Sequence, residues 1–212
     1  FLFFERSEAK SNETITLITL ISLSLPMMVA QVLSQLSNFS AQFLLSLYGS
    51  PEDISFLSIS LRIAVLMSFV VVAVNRISAP KFALLYANGE IEELGKVVCF
   101  SNRLLFLSCL PILLFILLFG SEILSFFGDE FRDAYYLLIL VSLGQFVAAI
   151  SGTVVFLLQM TGLERVFRNN IAIAAGLSVT IGCWLVPEYG LIGAGMMTFI
   201  SLVTANLLSC YK

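Results

Sequence analysis

Arg62 is a permanently charged residue inside an apolar stretch, and something must neutralise or solvate it. The stretch is "ISFLSISLRIAVLMSFVVVAV" at 54–74, and Arg62 lies about eight residues, roughly 12 Å, from one end. A guanidinium that faces lipid at this depth costs about 2.5–3.5 kcal/mol on insertion scales, so the side chain must face protein or water. Two interpretations stay open. Arg62 either caps backbone carbonyls or extends to the headgroups, or it binds an anion through its planar fork of donors.

A row of amides lies ahead of this stretch. Its members recur every three or four residues, which places them on one face of a continuous helix: Gln31, Gln35, Asn38 and Gln42. Ser34 lies at the edge of that face. Amides that face lipid are costly, so the row must face a neighbouring helix or water. Hydrogen bonding between helices and the wall of a hydrated cavity are both consistent with the pattern.

The elements that hold these residues are long apolar segments. The chain has 212 residues, of which 59% are hydrophobic and 12% charged, and its mean hydropathy is +1.00. A helix needs roughly 20 apolar residues to cross a bilayer core of about 30 Å. We predict an all-α integral membrane bundle of six spanning helices, at about 14–45, 54–74, 97–119, 134–160, 168–186 and 191–210. This bundle occupies 14–212, after a cytoplasmic N-terminal segment at 1–13.

The distribution of Lys and Arg predicts the orientation of the bundle. Most of them lie at the two termini and in the second and fourth loops: Arg6, Lys10, Arg76, Lys81, Lys96, Arg165, Arg168 and Lys212. In the loops on the other side, Arg132 stands alone among carboxylates. Cytoplasmic loops collect Lys and Arg, so both termini are predicted to be cytoplasmic. Arg103 lies about six residues into the third span and is expected to extend to the headgroups.

Several classes of function are disfavoured by what the chain lacks. It has no histidine, which excludes an imidazole base or imidazole metal ligand, and it has no glycine-rich phosphate loop. The four cysteines lie in apolar stretches without paired spacing and are interpreted as packing residues. The acidic cluster of Asp129, Glu130 and Asp133 is interpreted as a solvated loop. We therefore predict no enzyme, no catalytic residue, no metal, no cofactor and no nucleic-acid partner.

A series of short motifs, in order and with the six predicted spans between them, resembles a known family. The motifs are Ala79-Pro80, "LYANGEIEEL", the pattern from Phe119 to Leu137, Thr161-Gly162 and "VPEYGLIGAGMMT". Together they are similar to the C-terminal half of the polysaccharide and oligosaccharide flippases of the multidrug/oligosaccharidyl-lipid/polysaccharide exporter superfamily. The resemblance covers nearly the whole chain. It departs from many members in one respect, since the first helix carries amides where they carry an acidic residue.

The resemblance implies one half of a transporter with twelve or fourteen spans, built from two similar bundles around a central cavity. The substrate would be a sugar linked to a polyprenyl pyrophosphate, moved across the bacterial or archaeal cytoplasmic membrane by alternating access for surface polysaccharide biosynthesis. The expected partners are this substrate, the lipid bilayer and a missing N-terminal half. Its substrate-binding residues are expected to be Arg62 for the phosphates, with Gln31, Gln35, Asn38 and Gln42 for sugar hydroxyls.

Other functions remain open at this point. A multidrug exporter of the same superfamily would share the architecture, although a cavity for organic cations usually holds a carboxylate, and the middles of these spans hold none. A non-transporting membrane subunit is also possible. A membrane-embedded transferase would need acid–base or metal-binding carboxylates near the interface. The chain begins at Phe1 without a cleavable signal pattern, so we expect it to be a piece of a longer protein.

Overall fold

Every regular element of the described chain is helical. The computed structural model describes residues 17–160 and 164–210, so the predicted segment 1–13 and the Thr161-Gly162 motif lie outside the described residues. The elements in chain order are α1 (Leu17–Tyr48), α2 (Pro51–Ala64), α3 (Leu66–Ala87), α4 (Ile91–Ser125), a short 3-10 helix (Asp129–Ala134), α5 (Tyr135–Met160) and α6 (Glu164–Cys210). The predicted all-α class is confirmed.

Four stretches of helix are long and apolar enough to cross a membrane. They are Pro51–Ala87, Ile91–Ser125, Asp129–Leu158 and Val166–Cys210. Large apolar side chains cover much of their outer surface, and Phe69, Phe100 and Leu118 are each at least 68% exposed. A water-soluble bundle would bury such side chains, whereas lipid accepts them. These helices indicate a multi-pass membrane protein, and the count of six spans stays a prediction.

The stretch predicted as one span over 54–74 is divided into two helices at Val65. The backbone N–H of Val65 donates to the carbonyl of Leu61 over 3.0 Å, and the N–H of Ser68 donates to the carbonyl of Val65 over 2.8 Å. Hydrogen bonding therefore continues through the turn. Ala64 and Met67 are buried on either side of the exposed Val65. The nearest proline and glycine are more than ten residues away, so nothing local in the sequence marks this turn.

α6 is a hairpin of two arms, 164–189 and 191–210, that meet at Gly190. Gly190 has φ 54° and ψ −124°, a conformation outside the helical region that glycine adopts readily. Ser178 donates to the carbonyl of Met197 over 3.1 Å, and Asn170 donates to Ser209 over 3.5 Å. These pairs lie at increasing distance from the turn, so the arms run antiparallel. The stretches predicted at 168–186 and 191–210 are therefore two arms of one element.

α5 is the central helix of the bundle and contacts α2, α3, α4 and α6. Its glycines let neighbouring helices come close: a Cβ on Gly152 would lie 2.7 Å from Val71, and one on Gly144 would lie 3.2 Å from Phe199. Helices in lipid pack through close contacts between small residues, because apolar lipid tails supply no hydrophobic driving force for helix association. The main core surrounds this helix and includes Leu57, Met67, Leu137, Leu138, Val141 and Met197.

A capping box fixes the start of α2. Ser50 Oγ accepts from the backbone N–H of Asp53 over 3.2 Å, and Asp53 Oδ2 accepts from the backbone N–H of Ser50 over 2.8 Å. Pro51 occupies the first turn, where its fixed φ suits a helix and its missing N–H costs nothing. Because this start is well defined, Arg62 lies about 17 Å along the helix axis from it, close to half the thickness of a bilayer core.

Candidate functional site

Arg62 lies in the last turn of α2, on the surface of the bundle. Its side chain is exposed, and no hydrogen bond or ion pair joins it to another residue of the described chain. The ion pairs found there involve other residues: Lys96 with Glu92 and Glu93, and Arg132 with Asp129. The guanidinium is therefore neither capped by groups of the described chain nor closed into a dry contact with them.

A contact between Gln42 and Ser58 sets the level of Arg62 relative to α1. Gln42 Nε2 donates to Ser58 Oγ over 3.4 Å, which joins α1 to α2. The two helices are antiparallel neighbours joined by the short turn at 49–50. One helical turn, about 6 Å, leads from Ser58 to Arg62 on one helix and from Gln42 to Asn38 on the other. Arg62 consequently lies at the level of Asn38.

The amide row lies on the same surface. Gln31, Gln35 and Asn38 are exposed, and Asn38 Nδ2 donates to Gln35 Oε1 over 3.4 Å. Gln42 is half-buried at the contact with α2. Of the two interpretations of the row, hydrogen bonding between helices describes Gln42, whereas the other three side chains are exposed and make no hydrogen bond with the described residues of α2. The amide row, Ser58 and Arg62 are together called the α1–α2 polar surface here.

An apolar groove borders this surface on α1. It has a volume of about 670 Å³ and lies between α1 and the first arm of α6. Its walls include Leu36, Phe39 and Phe43 from α1, with Gly176 and Val179 from α6. The three α1 residues are each one position beyond a member of the amide row, so the polar and apolar stripes run side by side along one helix. The arrangement can accommodate a ligand with a polar head and an apolar chain.

A smaller cavity of about 160 Å³ opens on the opposite side of the amide row, between α1, α5 and α6. Ser37 and Ser201 share a hydrogen bond of 2.8 Å at its wall, and Asn38 also lines it. Ser34, Asn206 and Ser209 complete its polar lining, and the last two were not singled out by the sequence analysis. Their spacing in the second arm, three residues apart and both polar, is the signal that would have found them. Polar side chains form part of the wall of this cavity, which has room for several water molecules.

Other polar residues missed by the sequence analysis connect α3 to α5. Gln145 Nε2 donates to Ser68 Oγ over 2.7 Å, and Asn75 Nδ2 donates to the carbonyl of Gly152 over 3.4 Å. The hydroxyl of Thr153 is buried without a partner in the described chain. These contacts hold helices together in lipid. The described residues contain no cluster of three or more carboxylates and thiols able to hold a metal ion.

Comparison with known protein families, with curated proteins and with solved structures finds no match to this chain. The likeness to the exporter superfamily therefore rests on the sequence motifs alone.

Proposed function

We propose that the chain forms one bundle of a transporter for lipid-linked oligosaccharides in a bacterial or archaeal cytoplasmic membrane. The substrate is a sugar chain carried on a polyprenyl pyrophosphate and used for surface polysaccharide biosynthesis. A second bundle, the missing N-terminal half of the transporter, faces the α1–α2 polar surface across a hydrated cavity. The six predicted spans place both termini of this bundle in the cytoplasm.

One observation carries the proposal: a guanidinium on α2, unpaired within the described chain, lies at the level of an amide row on α1, and an apolar groove between α1 and α6 borders that row. A charged side chain near the middle of a bilayer is costly unless it meets water, protein or an anion. Arg62 has no partner among the described residues, so its surface is suited to face water and an anionic ligand rather than lipid. The adjoining groove of about 670 Å³ suits an apolar chain.

Each part of the substrate has a matching part of this surface. Arg62 engages phosphate oxygens through its fork of donors, which binds phosphate more specifically than a lysine does. The amides of Gln35 and Asn38 both donate and accept, as hydroxyl groups of a sugar require. The polyprenyl chain lies along Leu36, Phe39 and Phe43. Charge, hydrogen bonding and apolar contact are thus arranged across a few turns of α1 and α2.

Movement between inward-facing and outward-facing states needs helices that change angle without losing their hydrogen bonds. The turn at Val65 interrupts a long helix while its backbone hydrogen bonding continues, and Gly190 joins the two antiparallel arms of α6. Contacts through Gly144 and Gly152 give smooth interfaces on either side of α5. These features are suited to a bundle that rocks against a partner around a central site.

The test is transport of a fluorescent lipid-linked oligosaccharide by the intact protein in proteoliposomes. We expect Arg62→Ala to abolish transport while the protein still inserts, and Arg62→Lys to retain part of it because the charge remains. Arg76→Ala removes another exposed arginine, on α3, and is the matched control that leaves transport unchanged. Full transport by Arg62→Ala would remove Arg62 from the mechanism. Transport of a cationic dye in place of the oligosaccharide would favour the multidrug exporter.

A further inference from the structure

A second large groove lies on the outside of the bundle, away from the α1–α2 polar surface. It is formed by the N-terminal half of α4 with parts of α5 and the end of α6, and it has a volume of about 750 Å³. This volume is within the range of about 300–1,000 Å³ that is usual for small-molecule sites. Most of its wall is apolar, and Phe106, Leu107 and Ile150 contribute to it. Arg103 and Asn102 provide polar atoms midway along the α4 wall, between Cys99 and Phe106.

The polar groups of this groove are donors. The Arg103 side chain is exposed and has no hydrogen bond or ion pair within the described part of the chain. Asn102 also makes no hydrogen bond there; its Oδ1 is buried, which leaves the Nδ2 donor as the accessible atom of the amide. The nearest carboxylates along α4, Glu92 and Glu93, are both paired with Lys96. The groove therefore offers positive charge and donors to an anion.

The groove also lies at a level where lipid headgroups are within reach. Arg103 is about nine ångströms inside the predicted apolar stretch of α4, a distance that a long side chain spans toward the interface. Cys210, the last described residue of α6, lines the groove, so both ends of α6 lie at the same end of the bundle as the start of α4. Arg168 belongs to that end, which the distribution of charge predicts to be cytoplasmic.

We propose that this groove binds one anionic phospholipid of the cytoplasmic leaflet. Its phosphate accepts hydrogen bonds from Arg103 and Asn102, and one acyl chain lies along Phe106, Leu107 and Ile150. Charge complementarity selects this occupant, since an unpaired guanidinium beside the apolar wall of Phe106 and Leu107 matches an anionic head with an apolar chain. The site is separate from the proposed transport surface and does not depend on it.

The first test is native mass spectrometry of the intact protein with phosphatidylglycerol and phosphatidylcholine. We expect tighter binding of phosphatidylglycerol, and a loss of about fivefold in its affinity for Arg103→Ala, the usual contribution of one basic residue near a membrane surface. Arg103→Lys keeps most of the affinity, and the control Arg76→Ala leaves it unchanged. Equal binding of the two lipids by the unaltered protein, or equal affinity in Arg103→Ala and Arg76→Ala, would overturn the proposal.

The second test reports on the groove itself. Cys99 lines the groove, whereas Cys183 is exposed elsewhere on α6. Phosphatidylglycerol should slow the alkylation of Cys99 and leave that of Cys183 unchanged, and Arg103→Ala should remove this protection. If Cys99 is protected without added anionic lipid and crosslinks to another polypeptide, the groove is covered by protein and the proposal is wrong.

Discussion

Gln42 of α1 and Ser58 of α2 are joined by a hydrogen bond of 3.4 Å, and Arg62 lies one helical turn beyond Ser58. This contact places the guanidinium at the level of Asn38 along the pair of helices. The bond is at the long end of the range for N–H···O contacts. Its importance lies in the register that it gives to two helices rather than in its strength.

The first prediction concerns that contact. Gln42→Ala and Ser58→Ala should be coupled by about 0.6 kcal/mol, the average for hydrogen bonds between membrane helices. A double-mutant cycle of unfolding free energies in detergent measures the coupling. The pair Gln42→Ala and Ser55→Ala is the control and should be additive, because Ser55 bonds to Pro51 on its own helix. Additive effects in both pairs would contradict the register described here.

The second prediction concerns the amides. Asn38→Ala should weaken the binding of a lipid-linked oligosaccharide by about two- to tenfold, the loss expected for one hydrogen bond. Ser46 is also exposed on α1, and its hydroxyl already donates to the carbonyl of Phe43. Ser46→Ala is therefore the control and should leave the affinity unchanged. Binding to the intact protein in nanodiscs provides the measurement. An unchanged affinity for Asn38→Ala would exclude this side chain from the substrate site.

The third prediction concerns the number of membrane crossings. The arms of α6 run antiparallel, so residues at its turn should reach the surface opposite to the α3–α4 turn. In a cysteine-free background, Glu188→Cys should react with an impermeant maleimide added outside the cell. Asn88→Cys should react only after the membrane is opened. Labelling of both positions from the same side would show that the predicted topology is wrong.

The fourth prediction concerns the close approach within α6. A Cβ on Gly193 would overlap the backbone carbonyl of Leu185, which has no rotamer by which to move away. Gly193→Ala should therefore destabilise the protein by about 1–3 kcal/mol, as overpacking does. Gly176→Ala is the matched control, since a Cβ there meets nothing within 4 Å and alanine favours the helix. Thermal unfolding in detergent compares the two, and equal melting temperatures would contradict the tight hairpin.

The helical class followed from the sequence because apolar segments of this length have few alternatives in lipid. The turn at Val65 could not be predicted from the sequence, because no proline or glycine marks it. The burial of Ala64 and Met67 on either side depends on how the bundle packs. The amide row was identified from its spacing. Which amides of the row contact α2 depends on the position of that helix, and only Gln42 forms a hydrogen bond with it. Asn206 was missed although its spacing of three residues from Ser209 places both polar side chains on one face of the second arm.

The division of Pro51–Ala87 at Val65 also bears on bilayer thickness. At 37 residues this stretch is about 55 Å long, well beyond a hydrocarbon core of about 30 Å. A rigid rod of that length would have to tilt as a whole when membrane thickness changes. Two shorter rods can adjust separately, so the α3 portion can follow the lipid while the α2 portion, anchored at Ser50, keeps its charge at a constant height.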